Sequence, residues 1–234
     1  KDVEWVIEFG HYSPRLEKTI TSGEQVGCVN GMAVFGNSSG VVIDIEVSAV
    51  KAENGKGNIK ITGIVEEEEM EGRGHKLKRT SSARSSVENV ITVLERIIGI
   101  KCRDYEIHIN FPGGIPIDGP SAGIAMAAAI YSAITGMPIS CDIAMTGEIS
   151  IRGKVKPVGG VVAKVEAAKI AGIKRVLIPK ENWQELFADI GIDVIPVEDI
   201  SQVMEIVFSK KKDISQEMPV QQNQAVNVLS ASGT

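Results

Sequence analysis

The order of the segments along the chain constrains the fold more than any other feature of the sequence. Segments typical of strands come first, and helices and strands then alternate in the second half of the chain. The predicted strands cover residues 32–35, 40–47, 58–65, 107–111, 143–147, 149–155 (interrupted by a turn at 152–153), 175–179 and 193–197. The predicted helices cover residues 85–98, 124–135, 161–171, 181–187 and 199–209. This order predicts one α/β domain (α+β-like) over residues 25–208, with mixed small sheets and packed helices.

Three stretches differ in composition from this domain. Residues 1–24 are polar and mixed, and they predict a connecting arm. Residues 209–234 are rich in lysine, then glutamine and serine, and predict a disordered tail. Residues 66–86 carry four consecutive glutamates followed by a basic run, which is typical of a solvated, mobile loop. Contact with a substrate or partner is the alternative interpretation of that loop.

Charge and residue counts exclude several classes of function. The net charge of −5 over 234 residues argues against nucleic acid as the main partner, because binding backbone phosphates needs a basic surface. No apolar run reaches the roughly 18 residues that a membrane-spanning helix needs. The three cysteines form no CxxC pair, so the sequence predicts small buried cysteines in a cytoplasmic protein. The three histidines lack metal-ligand spacing, so we expect no metal in the site.

The segment Gly114–Gly123 contains a serine, Ser121, in a glycine- and proline-rich loop. A phosphate-binding P-loop would need lysine where Pro120 stands, and Asp118 adds a negative charge there. A nucleophile elbow needs a histidine after the serine, but all three histidines precede Ser121. A triad that uses His108 and Asp118 is disfavoured because the two are only ten residues apart, and His108 fits the polar face of a strand.

A serine activated by some other base is the remaining possibility. Ser121 lies where a loop becomes a helix, so unpaired backbone N–H groups surround it and could stabilise an oxyanion. An ordinary N-cap serine would look the same in sequence. The loop alone therefore leaves both interpretations open.

A candidate base lies in the helix predicted over residues 161–171. Lys164 falls on the same helical stripe as Val161 and Ala168, and burial there would lower the pKa of its amine. A neutral amine can accept a proton from a serine hydroxyl. Lys164 could instead extend to the rim of the apolar face. Thr146, at the end of an earlier strand, could hold the amine or simply fill a strand position.

Three motifs follow one another along the chain: Pro116-x-Asp-Gly-Pro-Ser-Ala-Gly123, Met145-Thr-Gly-Glu-Ile149 and Gly153-x-Val-x-Pro-Val-Gly-Gly-x-x-x-Lys164. Together they resemble the proteolytic domain of the Lon family of ATP-dependent proteases. The resemblance runs from about residue 27 to residue 208. The stretch at 66–86 is more charged than the corresponding part of common bacterial Lon proteins, which is expected either of a LonB-like branch or of a reshaped groove for substrate. His108 keeps the first of two alternating histidines of some Lon proteins, whereas Asn110 replaces the second.

The resemblance implies a role for each site residue. Ser121 would be the nucleophile and Lys164 the general base, with Thr146 supporting the lysine and Asp118 close by. Glu46 is a weaker candidate for the same neighbourhood. The residues that would form the oxyanion loop are Gly119, Pro120 and Ala122.

The resemblance also implies a biological setting. Such a domain cuts unfolded or damaged proteins that an AAA+ ATPase module of the same full-length chain delivers, and it assembles as a homohexamer. We expect no cofactor in this fragment, with ATP and magnesium confined to the missing ATPase module that the arm 1–24 would join. The location would be cytoplasmic, and a LonB-like branch would add a membrane anchor outside these residues. The alternatives are a non-catalytic Lon-like scaffold of an ATPase and a phosphate-binding module of similar architecture.

Overall fold

A computed structural model of the protein describes residue 20 and residues 23–35, 39–63, 82–113 and 119–208. Its strands are β1 Glu24–Gln25, β2 Cys28–Phe35, β3 Ser39–Lys51, β4 Ile59–Thr62, β5 Tyr105–Asn110, β6 Ile139–Ser140, β7 Ile143–Met145, β8 Glu148–Ile149, β9 Val155–Lys156, β10 Arg175–Pro179 and β11 Asp193–Val197. Its α-helices are α1 Ser82–Val93, α2 Gly123–Thr135, α3 Val161–Ile170 and α4 Ile200–Phe208. The charged stretch 66–86 falls mostly outside the described residues, as do nearly all of the arm 1–24 and the tail 209–234.

A seven-stranded mixed sheet forms the centre, in the order β11-β10-β7-β2-β3-β5-β4. The pairs β2–β3 and β3–β5 are antiparallel, and the other neighbours in the sheet are parallel. Two small two-stranded sheets, β1–β6 and β8–β9, lie outside it. The predicted α/β class, with mixed sheets and packed helices, is confirmed.

The helices cover both faces of the central sheet. On one face, α1, α2 and α4 pack against inward-pointing strand residues such as Ile45 and Ile109. On the other face, α3 packs against Met32, Val42 and Ala144. The side chains of a strand alternate between the two faces, so each strand contributes to both cores. No helix within the described residues is long and apolar enough to cross a membrane.

The helix predicted over residues 181–187 is wrong. Two short 3-10 turns, Lys180–Asn182 and Glu185–Phe187, take its place, and the two residues between them are extended. The Asn182 side chain accepts a hydrogen bond from the Val158 amide at 2.8 Å and donates one to the Val158 carbonyl at 3.1 Å. A polar side chain that binds a distant backbone in this way competes with helix formation.

The prediction of buried cysteines holds only for Cys102. Cys28 begins β2 and Cys141 follows β6, and both are half-buried at strand ends. All three are free thiols. Burial, aided by the Glu95 carboxylate, raises the pKa of Cys102 to about 12. Cys102 is therefore a packing residue with little thiolate character.

An ion pair between Arg175 and Asp142 connects β10 to the start of β7. Burial by itself would raise the pKa of Asp142, but a 2.6 Å hydrogen bond from the Ser140 hydroxyl and a 3.2 Å contact with the Arg175 guanidinium outweigh it. The pKa of Asp142 is therefore held below its ordinary value. The carboxylate stays ionised and connects the starts of these two strands.

Candidate active site

The candidate site lies at the carboxyl end of β7, where the parallel strands of the sheet end. Ala144 on β7 packs against α3, and alternation along the strand brings Thr146, two residues later, to the same side. Thr146 is fully buried. Its amide donates to the carbonyl of Leu177 on β10 at 3.1 Å, which fixes the direction of its side chain.

Ser121 lies in a 3-10 turn, Gly119–Ala122, that leads directly into α2. The helix begins at Gly123, and Ala122 occupies the N-cap position without a side-chain cap. The interpretation of Ser121 as an ordinary N-cap serine is therefore wrong. Ser121 is only 2% exposed, so a polar side chain is buried at the positive end of a helix.

Lys164 comes from the opposite side, on α3. The stripe predicted from the sequence is confirmed, because Val161, Lys164, Val165 and Ala168 are all buried. Lys164 itself is 2% exposed, so it does not extend to the rim of the helix. Lys169, on the outer face of the same helix, is exposed. A lysine held this far from water is unusual, and burial disfavours its charged form.

A chain of hydrogen bonds connects these three residues. The Lys164 Nζ donates to Thr146 Oγ1 at 3.1 Å, and Thr146 Oγ1 donates to the Ser121 carbonyl at 3.0 Å. The Gly147 amide also donates to the Ser121 carbonyl, at 2.9 Å. The Thr146 hydroxyl therefore joins the lysine of one helix to the serine turn of another.

Two glycines allow this close approach. A Cβ on Gly40 of β3 would lie 1.9 Å from the Ala163 carbonyl oxygen and 2.9 Å from the Lys164 amide. A Cβ on Gly123 would lie 2.9 Å from the Ile149 amide. Only glycine therefore lets α3 settle on β3 and the serine turn settle on β8. The sequence analysis placed Gly40 at the start of a predicted strand, and nothing in the sequence indicates its contact with α3.

Asn30 is a second residue that the sequence analysis missed. It is buried on β2, and its Nδ2 donates to the carbonyls of Cys141 and Ile143, each at 2.9 Å. Asn30 thereby fixes the start of the strand that carries Thr146. The available signal was a single asparagine in the otherwise apolar segment Cys28–Phe35.

Glu46 belongs to a different, exposed group of polar residues. It accepts a hydrogen bond from Asn110 Nδ2 at 3.0 Å. Thr62 Oγ1 donates to Asn110 Oδ1 at 2.9 Å and lies 2.9 Å from His108 Nε2. This line of side chains crosses β3, β5 and β4 on one face of the sheet. Glu46 is thus placed among strand residues rather than within the buried group around Thr146.

Asp118 lies outside the described residues, so its predicted position near the site stays a prediction. Gly119, Pro120 and Ala122 are in the 3-10 turn around Ser121. Among the residues that the structure describes, no three His, Cys, Asp or Glu side chains are grouped so that they could hold a metal ion.

Comparison with known proteins shows the family. The model of the Lon protease (S16) C-terminal proteolytic domain matches residues 7–210. Lon protease 2 of Bacillus subtilis is 53% identical over 209 residues, which are 89% of this chain and 38% of that protein. The archaeal Lon protease of Thermococcus kodakarensis is 40% identical over 211 residues, 88% of this chain and 31% of that protein.

A third relative, the archaeal Lon protease of Archaeoglobus fulgidus, is 39% identical over 203 residues, which are 83% of this chain and 30% of that protein. The chain thus spans less than half the length of the relatives it matches. The matched region includes every element of the candidate site. The chain belongs to the family of Lon C-terminal proteolytic domains, which are peptidases.

Proposed function

We propose that this domain is a serine endopeptidase in which Ser121 is the nucleophile and Lys164 is the general base. The observation that supports this most is the buried connection from Lys164 Nζ through Thr146 Oγ1 to the main chain of Ser121. A lysine that serves only solubility gains nothing from a position 2% exposed on an apolar helix face. A base that must be neutral near pH 7 benefits from such burial.

The proposed reaction has two stages. Neutral Lys164 takes the proton of the Ser121 hydroxyl while the serine oxygen attacks the substrate carbonyl carbon. The same proton passes to the leaving amine as the peptide bond breaks, which leaves an acyl ester on Ser121. Water then attacks the ester, Lys164 accepts a proton from the water, and Ser121 regains a proton as the acid product leaves.

The proposed oxyanion loop consists of Gly119, Pro120 and Ala122. Pro120 has no N–H, so the donors to a developing oxyanion would be the amides of the other residues of the turn. The proline instead restricts the backbone immediately before Ser121. The Ser121 carbonyl accepts hydrogen bonds from Thr146 Oγ1 and from the Gly147 amide, and these two bonds fix the position of the same turn. We also propose that Asp118 lies near this site and that Glu46 contributes to its outer surroundings.

In its biological setting, we propose that the domain acts on unfolded or damaged proteins in the cytoplasm. An AAA+ ATPase module of a longer chain would deliver these substrates, and ATP and magnesium would bind there. The domain itself would assemble as a homohexamer. Support for this setting comes from the family of the domain and from its similarity to longer Lon proteases, of which this chain matches less than half.

The test is acylation of Ser121 by a β-lactone from mildly acidic to alkaline pH, located by mass spectrometry. The variants are Ser121→Ala, Lys164→Met and the control Lys169→Met, which removes an exposed lysine from the same helix. We expect an adduct on Ser121 that disappears in the first two variants and persists in the third. Its rate should rise with an apparent pKa below the ordinary lysine value of about 10.4.

Two results would contradict the proposal. A folded protein that forms no adduct at any pH would favour the non-catalytic scaffold. Labelling of Lys164→Met at the wild-type rate would show that some other group activates the serine.

A further inference from the structure

Strand β4 ends the central sheet, and within the described part of the chain its edge away from β5 has no backbone partner. Among the described residues it pairs only with β5, and the carbonyls of Asn58 and Thr62 accept hydrogen bonds on that side. Backbone groups alternate in direction along a strand, so the N–H and C=O groups of Ile59 and Ile61 point outward. None of the backbone hydrogen bonds between described residues uses these four groups.

The opposite edge of the same sheet is blocked. The Asp193 amide of β11 donates to the Lys174 carbonyl on the side of β10. Alternation therefore places Pro196, three residues later, with its nitrogen toward the outer edge. Proline offers no N–H for a further strand, which is one way that proteins protect sheet edges. The edge at β4 contains no proline between Ile59 and Thr62.

A groove of about 810 Å³ lies between the β4 edge and helix α1. Its apolar lining includes Ile59 and Ile61 from the strand and Val87 and Ile91 from the helix. A groove between an edge strand and a helix is the geometry in which peptide-binding domains add an extended peptide to a sheet. The backbone of the peptide pairs with the edge, and alternate side chains enter the groove.

The charges along the groove indicate what kind of peptide fits it. Four basic and two acidic side chains line it, an excess of two positive charges in a chain whose net charge is −5. One of the acidic residues, Glu95, already lies 3.9 Å from Arg103. Two copies of this chain joined at β4 would bring Lys56 and Lys60 close to their counterparts, and like charges on paired strands are destabilising. An acidic peptide is therefore the better match.

Helix α1 links the groove to the turn of the proposed nucleophile. It forms one wall of the groove and contacts the 3-10 turn that contains Ser121. A polypeptide held in the groove would therefore be concentrated beside that turn.

We propose that this groove binds an extended stretch of the protein substrate, with alternating apolar and acidic residues, as an additional strand on β4. The identity of the bound polypeptide as a protease substrate rests on the proposed function. The geometry of the β4 edge does not depend on that function. It assigns to β4 and α1 a substrate-holding site that contains neither Ser121 nor Lys164.

The test uses a fluorescein-labelled decapeptide of alternating valine and aspartate, with the full chain carrying Ser121→Ala to prevent cleavage. A peptide with lysine in place of aspartate is the matched probe. By fluorescence anisotropy we expect the acidic peptide to bind about tenfold more tightly than the basic one. Hydrogen exchange of the Ile59 and Ile61 amides should slow when the acidic peptide binds.

Two variants test the edge and the charge separately. Ile61→Pro removes an outward N–H without removing a bond to β5, and we expect about fivefold weaker binding or more. Lys56→Glu reverses one of the positive charges that line the groove, and it should weaken binding of the acidic peptide to a similar extent. The control Val194→Pro makes the equivalent change at the outward side of β11 and should leave binding unchanged.

The outcomes separate this inference from the proposed function. Two results would overturn the inference. One is binding of the acidic peptide without slower hydrogen exchange at Ile59 and Ile61. The other is an unchanged affinity for that peptide in both Ile61→Pro and Lys56→Glu. Slower exchange at Ile59 and Ile61 in a chain whose serine is never acylated would support the groove and contradict the peptidase proposal.

Discussion

Replacing Thr146 by valine tests the central connection of the candidate site. The substitution keeps the shape of the side chain and removes one hydroxyl, which is fully buried and takes part in two hydrogen bonds. The Ser121 carbonyl keeps its bond from the Gly147 amide, whereas Lys164 Nζ loses the bond to Thr146. The lysine should therefore be affected more than the serine turn.

The magnitude follows from these bonds. A buried donor left without its partner costs about 1–3 kcal/mol, so we expect Thr146→Val to lower the free energy of unfolding by about 2 kcal/mol. For a domain of this size that corresponds to a fall in Tm of about 4–8 °C. If positioning of Lys164 accounts for about 1–2 kcal/mol of the activation barrier, acylation of Ser121 should slow by about 5–30-fold.

The assay compares the acylation rate by β-lactone with thermal unfolding, for Thr146→Val and Thr146→Ser. The serine variant loses the methyl group but keeps the hydroxyl, so it should recover most of the acylation rate while remaining less stable than the wild type. Acylation of Thr146→Val at the wild-type rate would refute the reasoning, since the hydroxyl would then have no part in positioning the lysine. Equal loss of rate in both variants would also refute it.

Three further predictions concern other residues of the domain. Gly40→Ala places a methyl carbon against the backbone of α3, so it should cost about 1–3 kcal/mol in chemical denaturation and slow Ser121 labelling. At pH 8 iodoacetamide should modify the half-buried Cys141 well before Cys102, because a pKa of about 12 leaves only about 10⁻⁴ of the Cys102 side chain as thiolate. Peptide mass spectrometry would give the order of modification, and modification of Cys102 first would contradict the prediction. The lowered pKa of Asp142 contributes stability above about pH 4 that is lost as pH falls through the folded-state pKa. Arg175→Met should therefore cost about 1 kcal/mol at pH 7 and little at pH 2, and an equal cost at both values would exclude this ion pair as the cause.

Local patterns were sufficient for most of the secondary structure. Alternating residues predicted β4 and β5, and the helical stripe through Val161 and Ala168 predicted α3 and placed Lys164 on its apolar face. These predictions succeeded because the periods of strands and helices are visible in the sequence itself. The helix predicted over 181–187 failed because the partner of Asn182 is 24 residues away.

The sequence by itself determined the fold class, the family resemblance and the identity of Ser121, Lys164 and Thr146 as candidates. It could not decide whether Lys164 was buried or whether Ser121 was an N-cap, because both depend on neighbours distant in the chain. The tertiary structure decided these points by bringing α3 against the end of β7, through a contact that Gly40 permits. The place of β4 at the edge of the sheet is also a tertiary property, because the position of a strand within a sheet is set by its pairing and not by its residues alone.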